Sequence, residues 1–336
     1  MVKSYKEASK FPLVEMSGVA VPRLILGHLP FVGETYQGPR KNRECFERFS
    51  DLENTVRILA KTVEEYGMTV MSAMPAIEGK LASHLLEAIR ETMRRTETEI
   101  ALIPCLRIPL KLDGAPIDDY RRWLTYYYVE RQLVGRKILK KYLEDPILRY
   151  RKEWAEKFSQ VLTDAGPYQK ETLEKLKIDY NTLRQALSSL QGFKILFIEP
   201  GSETDFLAMT GRLDLLYQLV DWLRNNFGYR ILLGTHHAGS TIPILETSRI
   251  EFDGYVTPVN ESGVMMFPTQ MKVLETIKSI KRPVMAIKPL AGGRISPRRA
   301  FEFLFEGLGI DVCVIGVASE GEVDEDMSLA LKILST

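Results

Sequence analysis

From residue 229 to residue 327 the chain repeats one unit four times: a short β-branched run, a polar tip, then an amphipathic helical segment. The runs cover residues 231–234, 255–259, 284–287 and 312–317. Such a cadence predicts parallel strands joined by crossover helices. The strand tips carry Thr235-His236-His237, Asn260-Glu261, Lys288 and Ser319-Glu320. In a closed parallel barrel the strand C-termini converge on one mouth, so polar residues scattered over this stretch would meet in one place.

The first half supports the same architecture. Residues 13–22 alternate around Ser17-Gly18 and read as a hairpin leading into a first strand at 23–27. Leu52, Val56, Leu59, Ala60 and Val63 recur at helical spacing up to Gly67. Second and third strands follow at 68–71 and 100–106, with a helix at 81–94 between them. There the rhythm breaks, and the next strand is 194–198. Residues 109–190 are polar and rich in aromatic residues. Trp123, Tyr126, Tyr127, Tyr128, Trp154 and Phe158 give them apolar mass to bury, so they read as a mainly helical cap rather than disorder. The expected division is barrel (1–108), helical insertion (109–190) and barrel (191–336), with the last turns of the insertion serving as the third barrel helix. A doubly wound open sheet would want a Gly-x-Gly-x-x-Gly turn after the first strand, and Gly27 to Gly33 does not supply one.

With 336 residues, 45% of them hydrophobic, the chain is long enough for one large barrel domain. A formal net charge of +1 gives no electrostatic argument for nucleic acid or an anionic membrane surface, which favours a small-molecule substrate. Cys45, Cys105 and Cys313 lie far apart with no Cys-x-x-Cys pair, which fits a reducing compartment. No run is long and apolar enough to span a membrane, and the N-terminal residues lack an apolar signal core, so the expected location is cytoplasmic. Oligomeric state is left open.

Several segments resemble the aldo/keto reductase superfamily: the hairpin, the run Val21-Pro22-Arg23-Leu24-Ile25-Leu26-Gly27, Tyr66-Gly67-Met68-Thr69, Lys288-Pro289-Leu290-Ala291-Gly292-Gly293 and Ile315-Gly316-Val317-Ala318-Ser319. The resemblance implies a (β/α)8 barrel with its site at the C-terminal mouth. It also implies positions for the family's Asp, Tyr, Lys and His, which fall on Ser72, near Ile77, near Leu106 and at or beside Glu199; none matches. The pair that would hold a nicotinamide amide corresponds to His236-His237, the stacking Tyr falls near Ile287, and acidic residues 320–325 stand where basic ones would grip a phosphate. Acidic side chains there repel a phosphate, so NADPH is not expected.

The remaining tip residues define a candidate site. Glu199 ends an apolar strand, where flanking apolar atoms raise a carboxyl pKa and suit it to general acid or base work; the alternative is a salt bridge at a strand end. His236 or His237 could pair with Glu199 as acid and base, and Glu199 with His236 could take part in holding a divalent metal. Only one of two adjacent histidines would face the mouth. Lys288 reads as a desolvated Schiff-base amine or an anchor for an anion or carbonyl. His237, Asn260, Glu261, Gly292, Gly293 and Arg294 are candidates for substrate binding, with turn or loop roles as the alternative. His28, Glu34 and Tyr36, beyond the first strand, could line the mouth, though a surface loop is the favoured reading, and Tyr126 to Tyr128 read as core packing. The leading expectation is an enzyme without the reductase tetrad, using Glu199, His236 and Lys288 on a small polar or anionic substrate. A divergent NAD(P)H-dependent oxidoreductase and a non-catalytic interaction barrel are the alternatives.

Overall fold

A computed structural model describes residues 2–151 and 153–335. Eight parallel strands form the barrel: β1 (Leu24–Leu26), β2 (Val70–Ala73), β3 (Ala101–Leu106), β4 in two pieces (Lys194–Ile195 and Glu199–Pro200), β5 (Leu232–Gly234), β6 (Gly254–Pro258), β7 (Val284–Ile287) and β8 (Val312–Ile315). They pair in sequence order, and β8 pairs β1. Ile198 closes the ring, its N–H donating to the Arg230 carbonyl at 2.8 Å and its carbonyl accepting the Leu232 N–H at 3.0 Å. The expected (β/α)8 barrel is therefore present, and the open-sheet alternative is excluded.

Strand alternation builds two apolar layers. Ile25, Val70, Ala101, Ile103, Leu232, Val256, Met285 and Val312 fill the barrel interior, while their neighbours Leu26, Met71, Leu102, Leu233, Tyr255, Ala286 and Cys313 face the surrounding helices. The predicted hairpin forms from Leu13–Met16 and Val19–Pro22. Its Met16 and Val21 join the interior cluster, so the hairpin plugs the end of the barrel opposite the mouth. The predicted helix Leu52–Tyr66 ends at Gly67, whose φ is 60°; a Cβ there would meet the Ala8 carbonyl at 2.6 Å.

The fourth strand departs from expectation. Ala101 and Leu102 pair Lys194 and Ile195, whereas Cys105 and Leu106 pair Glu199 and Pro200, so β4 carries one extra residue between the two pairings. The cause lies in β3. Its Ala101 N–H donates to Thr69 on the β2 side, so the N–H at position 104 would face β4, and residue 104 is proline. With no donor there, the ladder cannot continue in register and a bulge forms. Leu196 and Phe197 then both enter the interior, while Ile195 and Ile198 pack outward.

The 109–190 segment carries helices at Asp119–Val134, Ile138–Glu144, Trp154–Asp164 and Tyr180–Ser188. It also forms a small antiparallel sheet of Leu110–Leu112, Ala115–Pro116 and Lys177–Ile178, which the sequence reading did not anticipate. Its aromatic residues Trp123, Tyr126, Tyr127, Trp154 and Phe158 are buried in the same apolar cluster as the barrel's outer face. No helix among the described residues is long and apolar enough to cross a membrane.

Candidate active site

The alternation that fills the barrel changes character at the C-terminal end. The next inward residues are Gly27, Ser72, Cys105, Gly234, Ile287 and Val314, and four of these six are too small to fill the space between strands. They line a cavity of about 270 Å³ at the mouth. Gly234 is required for more than volume: a Cβ there would meet Glu199 Oε1 and the Pro200 carbonyl, each at 2.8 Å. The bulge carries Glu199 inward, and Gly234 leaves it room.

Glu199, His236 and Lys288 all line this cavity, together with His28, Glu34, Tyr36 and Cys105. Withdrawal from water pushes the Glu199 carboxyl up to about 7; the Lys288 ammonium and a hydrogen bond from the Cys105 thiol oppose that shift. Burial lowers the Lys288 pKa, against the pull of Glu34, Glu199, Cys105 and Asp145. Its Nζ lies 3.3 Å from His236 Nε2 and 4.6 Å from the centre of the Tyr36 ring. Burial, with Lys288 nearby, holds His236 well below its ordinary value, so its ring is neutral. His28 is held to about 4 by the same two causes, with Nδ1 2.8 Å from Ser72 Oγ.

Lys288 and Tyr36 share a backbone feature. Both have left-handed φ, 58° and 59°, a sparsely populated setting for residues with side chains. For Lys288 it also precedes Pro289, which restricts the residue before it. The β7 loop imposes this geometry. Ala291 N–H bonds the Lys288 carbonyl at 3.0 Å, and the Arg294 guanidinium clasps the carbonyls of Tyr36, Ala291 and Gly292. Gly292 and Gly293 admit the loop after β1, since a Cβ on Gly292 would meet the Tyr36 carbonyl at 2.6 Å. The two glycines border the cavity, while Arg294 spends its donors on backbone. The clasp draws Tyr36 to the mouth and Ser72 Oγ holds His28 there through its N–H at 3.1 Å and Nδ1 at 2.8 Å, so the loop of His28, Glu34 and Tyr36 lines the cavity rather than the surface.

His237 turns the other way. Its Nδ1 lies 2.9 Å from Glu130 Oε1 of the helix Asp119–Val134, and that carboxylate also accepts from Tyr142 at 2.5 Å and Ser240 at 3.0 Å. Its ring packs against Tyr126 and Phe267. Asn260 closes its own loop, exchanging hydrogen bonds with Val264 of 2.9 and 3.0 Å, and Glu261 pairs with Arg299 at 2.7 Å; neither lines the cavity. Of the positions implied by the reductase resemblance, Ser72 and Glu199 line the mouth, Ile77 is exposed and Leu106 is buried outside it. No group of three His, Cys, Asp or Glu among the described residues could hold a metal ion, so nothing at the mouth supports the metal role expected of Glu199 and His236.

Asp205 is not among the residues expected at the site. Its buried carboxylate accepts the Thr235 hydroxyl, the His236 N–H at 2.8 Å and the Thr241 hydroxyl at 2.7 Å, which fixes the β5 tip. Its one sequence signal is an acidic residue in the first turn of the short helix Glu203–Met209, directly after β4.

No family model matches the chain, and no curated protein does. Two solved structures from Pseudomonas aeruginosa, both named as a candidate aldo-keto reductase, match along its length. Each has a TM-score of 0.54 at 15% identity; one covers 96% of this chain and 95% of its own, the other 98% of each. At that identity the likeness is one of fold. The chain thus has the aldo/keto reductase type of barrel, as its segments suggested.

Proposed function

We propose that the protein is an enzyme performing acid/base chemistry on a small carbonyl compound, with Glu199 as the proton carrier and Lys288 as the group that holds the carbonyl oxygen or carbon. One observation carries this reading: a single, mainly apolar cavity is lined by both a carboxyl that burial pushes up to about 7 and an amine whose ammonium form burial disfavours. A general acid and base works best with a pKa near the operating pH, and such pairs concentrate at functional sites. His236 orients the amine through the contact at its Nε2, and Asp205 holds the His236 backbone in place. The chemistry this set supports best is proton transfer at the carbon beside a carbonyl.

The test is proton exchange in D2O followed by NMR, using butanal, hydroxyacetone and pyruvate. Catalysed loss of the α-proton signal from at least one, abolished in Glu199→Gln, supports the reading; exchange that survives the substitution, or none from any of the three, removes it.

A second reading, nicotinamide-dependent carbonyl reduction, draws on the likeness of fold. The residues at the mouth fit that cofactor poorly. Where a phosphate would meet the helix Glu320–Leu334, the N-terminus is occupied by the chain itself: Ser319 caps the Glu322 N–H, and the Glu322 carboxylate takes the Ala318 N–H at 2.6 Å and borders the cavity. Tyr36 is no tuned phenol either, because burial raises its pKa well above the usual value. NADPH fluorescence titration decides between the readings, and saturable micromolar binding would favour reduction.

A further inference from the structure

We infer that Lys288 is a covalent nucleophile that forms an imine with an uncharged aldehyde or ketone carrying a short apolar body. This rests on the acid/base reading above and specifies its substrate class.

The geometry supplies a nucleophile and excludes the commoner role of a buried lysine. Among the described residues no carboxylate forms a salt bridge with Lys288; its Nζ meets a neutral imidazole nitrogen and an aromatic face instead. A structural lysine in an apolar setting is paired, because an isolated ammonium there is costly. This one is left unpaired at the edge of a cavity, on a strained backbone that two loops hold in place. Burial disfavours its ammonium form, which frees the lone pair for attack.

The same lining defines the substrate. Its charged residues are Glu34, Glu199, Glu322 and Lys288, three acidic against one basic. That balance opposes an anionic substrate and leaves no purpose for Lys288 as a mere anion anchor. The rest of the wall is mainly apolar, including Ile25, Leu29, Met74, Ile103, Met285 and Ile287. At about 270 Å³ the cavity lies at the small end of the range for ligand sites. An aldehyde or ketone of a few carbon atoms meets all three conditions.

The step balances without any oxidant or reductant. The Lys288 lone pair forms the C–N bond while the carbonyl π pair moves to oxygen. Glu199 protonates that oxygen and recovers a proton from the nitrogen, which leaves a carbinolamine and a protonated Glu199. Glu199 then gives its proton to the hydroxyl, the C–O bond breaks, water leaves and the protonated imine remains. The resulting Glu199 carboxylate is placed to take a proton from the adjacent carbon, whose acidity the iminium raises. His236 is a positioning residue that holds Nζ toward the cavity.

The experiment is reductive trapping of the full-length protein with butanal and sodium cyanoborohydride at neutral pH, followed by peptide mass mapping. Lys288 should gain one butyl group roughly tenfold faster than exposed Lys140, because the cavity holds the aldehyde against Lys288 beside Glu199, whereas Lys140 meets it only from solvent. Glu199→Gln should slow labelling of Lys288 and leave Lys140 unchanged. Labelling of Lys288 no faster than Lys140 overturns the inference, and the wild-type map alone delivers that result even if the variant fails to fold. Glu199-dependent proton exchange without trapping would reject the imine while the acid/base reading stands. Absence of both would reject the two together.

Discussion

Glu199 and Gly234 act as one unit: the carboxyl turns into the mouth of the barrel because the glycine on the adjacent strand leaves it room. Two predictions belong to this pair. The folded carboxyl keeps its proton up to about 7, against 4.5 for an ordinary glutamate. Between those values the folded chain holds more protons than the unfolded one, so stability falls as pH rises through that window. Glu199→Gln removes the cost. It should be more stable than wild type by about 1–2 kcal/mol at pH 8, allowing for solvent that reaches the carboxyl through the cavity, and the difference should vanish toward pH 4.5. Denaturant titrations at both pH values check this. Gly234→Ala should do the opposite, since its Cβ would sit 2.8 Å from both Glu199 Oε1 and the Pro200 carbonyl. A loss of about 1–3 kcal/mol is expected, with slower trapping at Lys288.

At the scale of elements, strand periodicity located all eight barrel strands within a few residues, because each alternates between two apolar layers and its polar tip ends the pattern. The bulge in β4 was missed although its cause, Pro104, is in the sequence; reading it requires knowing that the missing N–H faces β4 rather than β2. The β5 tip was likewise read as two histidines without the carboxylate that sets them. Asp205→Ala would leave the Thr235 and Thr241 hydroxyls and the His236 N–H without their shared acceptor. Its expected cost is on the order of 3–5 kcal/mol. The midpoint of chemical denaturation should fall accordingly, and a change below about 1 kcal/mol would show that the tip is held by other means.

For the whole molecule, the sequence marked 109–190 as an inserted helical segment through its broken rhythm, yet not how it attaches. One link is buried Glu130, which binds His237 and Ser240 from the barrel and Tyr142 from the insertion within a shared aromatic core; buried Arg122 pairing with Glu203 at 2.7 Å is another. Insertion and barrel should therefore unfold in one calorimetric transition, and Glu130→Ala should lower its temperature by destabilising both together, by roughly 3 kcal/mol or more; a separate early transition for the insertion would contradict this. The function proposed rests on the chamber at the mouth of that barrel, and above all on its keeping Glu199 half-protonated at neutral pH. Infrared difference spectroscopy across pH, comparing wild type with Glu199→Gln on carboxyl-labelled glutamate, reads that property directly. The account predicts a protonated-carboxyl band, absent in the variant, that titrates at about 7; a Glu199 band that has already vanished by pH 5 would contradict it.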